Sequence, residues 1–140
     1  MDSISLIVLA VALVFGIIIY AIISTREHKR PKGVDPRIVR AKWEKIAASA
    51  SDLRPDNLKL AIIDADKLLD SVLKALGYRG ETLGERLKSS ENHYSDVNGI
   101  WRAHKLRNQI VHDEDVDLVI SQARDAMHEY RKALRDLGVL

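Results

Sequence analysis

The sequence predicts an all-α protein: a single N-terminal transmembrane helix followed by an antiparallel bundle of four to five helices. Three observations lead there. The run Ile4 to Ile23 carries no charged residue. From Asp35 onward, apolar residues recur at intervals of three and four, with no strand-like alternation. Seven Gly, three Pro and 5% aromatics are too few for the turns and packed faces of a strand-rich sandwich. A chain of 140 residues is long enough for one domain of ordinary size. It contains no cysteine, which excludes a disulfide framework, a thiolate metal site and a cysteine nucleophile.

The first element is ISLIVLAVALVFGIIIYAII, in which only Ser5, Gly16 and Tyr20 depart from plain apolar. At ~1.5 Å rise per residue it would span roughly 30 Å, the thickness of a hydrocarbon core. A cleaved signal peptide fits badly. Asp2 stands where a basic segment belongs, the apolar run is too long, and no A-x-A site follows. Behind the run come Arg26, Lys29, Arg30 and Lys32. Positive flanks stay cytoplasmic, so a single-pass protein is expected, with its N-terminus outside and its bundle in the cytoplasm. The expected division is an anchor at 1–25, a basic juxtamembrane linker at 26–34 and a helical bundle at 35–140.

Charge is distributed accordingly. Residues 26–45 hold eight Lys/Arg and three Asp/Glu, net +5; residues 46–140 hold fourteen and sixteen, net −2; Asp2 completes the total of +2. The basic excess is therefore juxtamembrane. Arg26, Lys29, Arg30 and Lys32 are expected at the membrane surface, where anionic headgroups attract each base by ~1 kcal/mol.

Within the bundle, Asp35 is placed to cap a helix that opens on Pro36 and carries one mostly apolar stripe of Ile38/Val39, Lys42/Trp43, Ile46 and Ala50. SDLRP breaks it. The next helix, Pro55 to Leu76, is the most regular, with Leu58, Ala61/Ile62, Ala65, Leu68/Leu69, Val72 and Leu76 on one stripe. Asp64, Asp66 and Asp70 read as its solvated flanks. Gly77 ends it, and Thr82-Leu83-Gly84-Glu85 fits a capping box for a short helix to about Lys88. SSENHYSD reads as a polar loop. A helix from Val97 to His112 follows, capped by Ser95 or Asp96. An acidic break, HDEDVD, precedes a last helix from Asp117 to Leu137, whose seam is Val119, Ala123, Ala126, Tyr130, Ala133 and Leu137.

The helix 97–112 carries the candidate chemistry. At ~100° per residue, with His104 at zero, Arg107 falls near −60°, Asn108 near +40° and His112 near +80°. Four polar side chains share an arc that a core helix fills with Leu or Ile. His moves protons near neutrality, and Arg presents a planar fork to phosphate oxygens. No Gly-rich phosphate loop, HExxH or GxSxG motif is present, and no metal or cofactor is expected.

Arg107-Asn108-Gln109-Ile110-Val111-His112 resembles the HEPN motif: an Arg, a polar residue, and a His four to six residues beyond the Arg, late in a helical bundle. The resemblance covers about residues 36–137 and rests on those six. It implies a homodimer with the two motifs facing across a cleft, acting as a metal-independent endoribonuclease or as an RNA-binding or assembly module. It gives Arg107 the scissile phosphate, His112 the proton transfer and Asn108 the polar position, with His104 an auxiliary outside the motif. The acidic run after His112 would repel an RNA backbone. That leaves a second expectation: a membrane-tethered scaffold binding a protein partner, in which Arg107 pairs with an acid such as Asp64, Asp70 or Asp113 and His112 caps its own helix. A third makes residues 26–45 a basic lipid-sensing adaptor. The two readings of the motif differ in one observable. A polar network closed inside one protomer favours the scaffold, and an open cleft favours the nuclease.

Overall fold

A computed structural model describes residues 2–24, 33–113 and 116–140; in the first helix it describes the side chains of residues 5 and 8–20. The described residues are all-helical: α1 (Ser3–Ser24), α2 (Pro36–Ser49), α3 (Pro55–Ala75), α4 (Leu83–Ser89), a 3₁₀ turn (Glu91–His93), α5 (Val97–His112) and α6 (Ile120–Asp136).

The side chains at 8–20 of α1 are all exposed. This stretch amounts to ~20 Å of helix. Among the described residues no helix is long and apolar enough to cross a membrane. The basic positions Arg26, Lys29, Arg30 and Lys32 lie outside the described residues.

Local signals place the helix ends. Asp35 takes the amide N–H of Arg37 at 2.9 Å, with Pro36 in the first turn. Thr82 caps α4 by accepting from the Glu85 N–H at 3.2 Å, while the Glu85 carboxylate reaches back to the Glu81 N–H at 2.6 Å. Asp96, not Ser95, caps α5 through the Gly99 N–H at 2.8 Å. Ser95 instead donates both its N–H and its hydroxyl to Asp136, tying the start of α5 to the end of α6. Two helices stop in the same way. Gly77 (φ 83°) and Gly138 (φ 73°) adopt the left-handed conformation. The next residues, Tyr78 and Val139, then donate back to Leu73 and Leu134.

Two elements differ from the sequence reading. The polar loop 89–96 contains the 3₁₀ turn, held by the Ser90 hydroxyl, which is fully buried and bonded to Tyr94 Oη at 2.8 Å. Burial, only partly offset by this bond, pushes the Tyr94 phenol up to about 12. The last helix starts at Ile120 and not at Asp117. Residues 116–119 carry no helical structure, and Leu118 is buried in the core. Val119 has no side-chain acceptor to cap with; only the reciprocal bond, from its N–H to Gln122 Oε1 at 3.4 Å, is made.

α3 is the centre of the bundle. It packs against α2, α4, α5 and α6, and buries Leu58, Ala61, Ile62, Ala65, Leu68, Leu69, Val72 and Leu73. The expected seam of α6 holds for Ala123, Ala126, Tyr130 and Ala133. α6 packs against both α3 and α5, and Tyr130 of this seam is fully buried and reaches Asp66 of α3.

Candidate functional site

Asp66 lies inside the apolar stripe of α3, 3% exposed, and is not the solvated flank its polarity suggests. A buried carboxylate survives only with partners, and three surround it. Tyr130 Oη of α6 donates to Oδ1 at 2.8 Å. His104 Nδ1 of α5 lies 2.8 Å from the same oxygen. Arg107 Nε lies 3.1 Å from Oδ2. That last contact is attractive by charge, but the N–H is turned off the oxygen, so the buried Nε has no hydrogen-bond acceptor.

The same side chains meet again on their outer edge. Arg107 Nη1 donates to Asn108 Oδ1 at 2.9 Å, and Asn108 Nδ2 lies 3.3 Å from His104 Nε2. Asp66, His104, Asn108 and Arg107 thus form a closed ring. Its direction follows from chemistry. A carboxylate only accepts and a guanidinium only donates. The proton of His104 therefore sits on Nδ1, facing Asp66. Asn108 turns its carbonyl to Arg107 and its amide N–H to the lone pair of Nε2.

Packing holds the imidazole in place. Trp101 stands edge-on to it, with ring centroids 6.1 Å apart. Gly84 of α4 offers a bare backbone: a Cβ built there would lie 3.8 Å from His104 Nε2 and 3.7 Å from Trp101. Tyr130 is fully buried, and burial first, then the Asp66 charge, pushes its phenol far above the ordinary tyrosine range.

The four residues singled out on α5 therefore separate. His104, Arg107 and Asn108 come together on α3. His112 is exposed at the last position of α5 and belongs to no part of the ring. Arg107 is paired with Asp66, rather than with Asp64, Asp70 or Asp113. Asp66 itself had a legible signal. On a wheel at ~100° per residue it lies within ~20–60° of Leu73, Ile62 and Leu69, inside the apolar arc. Asp64 falls ~160° away.

Asp70, also read as a solvated flank, serves a second cluster. Its carboxylate binds Lys74 and the buried Arg86 of α4, each at 2.7 Å. Arg86 further donates to the carbonyls of Gly80 and Glu81, holding the 77–82 turn against α3. Burial pushes the Asp70 carboxyl up, but the bonds and charges of Lys74 and Arg86 outweigh it and hold it below the ordinary range.

An aspartate that fixes a histidine tautomer is the orienting half of an acid–base pair. Here Nε2, the nitrogen that would act on a substrate, faces Asn108, and the imidazole is only 12% exposed. A wider groove of about 570 Å³ opens between α5 and α6, lined by Arg102, Lys105, Gln109, Asp125, His128 and Glu129; none of the ring residues lines it. Among the described residues no cluster of three or more His, Cys, Asp or Glu could hold a metal ion. No family model, curated protein or solved structure matches the chain.

Proposed function

We propose that the chain is a membrane-tethered, HEPN-like helical module that binds a protein partner, and that its Arg107 motif is a structural lock. The observation that carries this reading is the ring closed within one chain. Arg107 is held by Asp66 and Asn108, His104 has both nitrogens engaged, and the motif histidine, His112, stands apart. The tether is supported by α1, a 22-residue helix whose sequence has no charge. Its side chains from Val8 to Tyr20 are exposed along the whole described stretch. The basic flank after it favours a cytoplasmic bundle with the N-terminus outside.

A second reading, metal-independent RNA cleavage at a homodimer interface, draws on a separate observation. Val111 and His112 are exposed at the end of α5, and Arg107 keeps 25% of its side-chain surface exposed. A phosphate could meet that exposed edge of the guanidinium, away from the buried Nε, and His112 could transfer the 2′-hydroxyl proton.

One experiment separates the two. The full chain in detergent is incubated with structured and unstructured RNA in EDTA, as wild type, Arg107→Ala and His112→Ala. The lock reading expects no cleavage, a large loss of thermal stability in Arg107→Ala and almost none in His112→Ala. Cleavage abolished by both substitutions, with helical content unchanged, establishes the nuclease instead.

A further inference from the structure

α2 buries only Val39 and Trp43; the rest of the helix is exposed or half-buried. On its outward arc Arg37, Ile38, Ala41, Lys42 and Lys45 are exposed around a shallow depression. Ile38 is 56% exposed, a large apolar side chain set among three cations. Lys42 and Lys45 also border α3, where with Lys67, Asp64, Ser49 and Ser71 they line an open crevice of about 420 Å³. The two acids of this face are already engaged, Asp35 by Arg37 at 3.0 Å and Asp64 by Lys67 at 3.8 Å. Among the described residues neither Lys42 nor Lys45 has an ion pair.

An exposed isoleucine ringed by lysines is the chemistry of a surface that lies on a bilayer. The apolar side chain enters the interfacial region, while lysine stems lie along it and their ammonium groups meet lipid phosphates. Position adds to charge. Eleven residues, 25–35, separate the end of α1 from Pro36. Fully extended they reach at most ~40 Å, so α2 is the bundle helix held nearest to α1 along the chain.

We infer that the outward face of α2 and the α2–α3 crevice dock the bundle onto an anionic bilayer. Lys42 and Lys45 take the lipid phosphates, and Ile38 enters the interface. This rests on α1 being the membrane anchor. It assigns the docking to folded helix α2, distinct from the basic segment before it.

The native chain lacks cysteine, so a single environment-sensitive fluorophore can be placed at Ile38→Cys. A second labelled chain, Gln109→Cys on α5, serves as the control. Both full-length chains are reconstituted in nanodiscs of phosphatidylcholine alone or with phosphatidylglycerol, and quenching by lipid-borne nitroxides is measured. Quenching of the Ile38 label is expected to rise several-fold in anionic discs and to fall back with Lys42→Glu/Lys45→Glu or in high salt, with the Gln109 label unchanged. Both lysines are exposed, so circular dichroism should show the double variant folded. Equal quenching at Ile38 in the two lipids, or quenching indifferent to the charge reversal, overturns the docking. Extraction by alkaline carbonate decides the tether separately. A chain that resists extraction while its Ile38 label stays in water loses only the docking. A chain that is extracted loses both.

Discussion

Asp66 and His104 stand 38 residues apart in the chain and 2.8 Å apart in space. Tyr130, Arg107 and Asn108 gather around that contact. Because the carboxylate is buried, its partners stabilise the fold mainly by avoiding the alternative, a charge or donor left alone in a dry interior. Asp66→Ala removes the acceptor of Tyr130 and His104 and the charge that faces Arg107 together. It is expected to cost ~3–5 kcal/mol in urea unfolding. Tyr130→Phe removes one bond to the carboxylate and is expected to cost ~1.5–3 kcal/mol. The double variant should lose less than the sum, because the second change removes a group already orphaned. An Asp66→Ala chain within about 1 kcal/mol of wild type would show that the ring is dispensable.

The ring also fixes a tautomer. In its neutral form His104 should carry its proton on Nδ1, with Nε2 an acceptor. Nitrogen-15 NMR of the imidazole reads this directly, since protonated and bare ring nitrogens resonate far apart. Asn108→Leu, which removes the donor to Nε2, should change the Nε2 environment and leave Nδ1–H in place. A proton found on Nε2 would contradict the direction deduced from Asp66 and Arg107.

Acid stability should report Asp70. Its carboxyl is held below the ordinary value of 3.8. A depressed carboxylate contributes stability that is fully present above its unfolded pKa and lost as pH falls through the lower, folded one. Part of the bundle's stability is therefore expected to disappear below about pH 4. Arg86→Met removes the buried partner and the two carbonyl bonds of the 77–82 turn. It should lower stability by about 2 kcal/mol at pH 7 and flatten the acid dependence. An unchanged acid profile in Arg86→Met would mean that Lys74 alone holds Asp70.

Much of the fold was legible because its signals are local. Pro36 and Pro55 mark helix starts, Asp35, Thr82 and Asp96 cap three of them, and Gly77 and Gly138 stop two. The start of α6 was missed because Val119 has helical spacing to Ala123 in sequence, yet it stands extended before the helix and exposed, while its neighbour Leu118 enters the core. Asp66 was misread because its residue type outweighed its position. The partners that make burial tolerable come from α5 and α6, as far as 64 residues away. His104 was placed in the right arc but ranked below His112, since the motif spacing says nothing about which imidazole α3 receives.

Two glycines should respond differently to alanine. At Gly80 the backbone is at φ 146°, and an added Cβ would lie 2.8 Å from the Arg86 backbone nitrogen, which cannot move without shifting α4. Gly80→Ala is expected to cost ~1–3 kcal/mol. At Gly99 the added Cβ comes closest to the carboxylate end of Glu129, a flexible side chain that can move aside, and next to Asp96 Oδ2, on the carboxylate that caps α5. Gly99→Ala also gains helix propensity of ~1 kcal/mol, so its net cost should be smaller. Thermal melts of the two variants, in the opposite order, would contradict this account of the 77–82 turn.

Tyr130 places a further demand on the chain, one of timing. The helix that supplies it is synthesised after α3 and α5, yet it packs against both and completes the coordination of Asp66. Until residues 120–136 emerge, α3 carries a charged carboxylate on the face where its core should form, and the bundle cannot close. The N-terminal helix leaves the ribosome long before that. On the anchored reading the chain is therefore committed to its membrane while still unfolded, and the bundle assembles afterwards, beside the bilayer that already holds it.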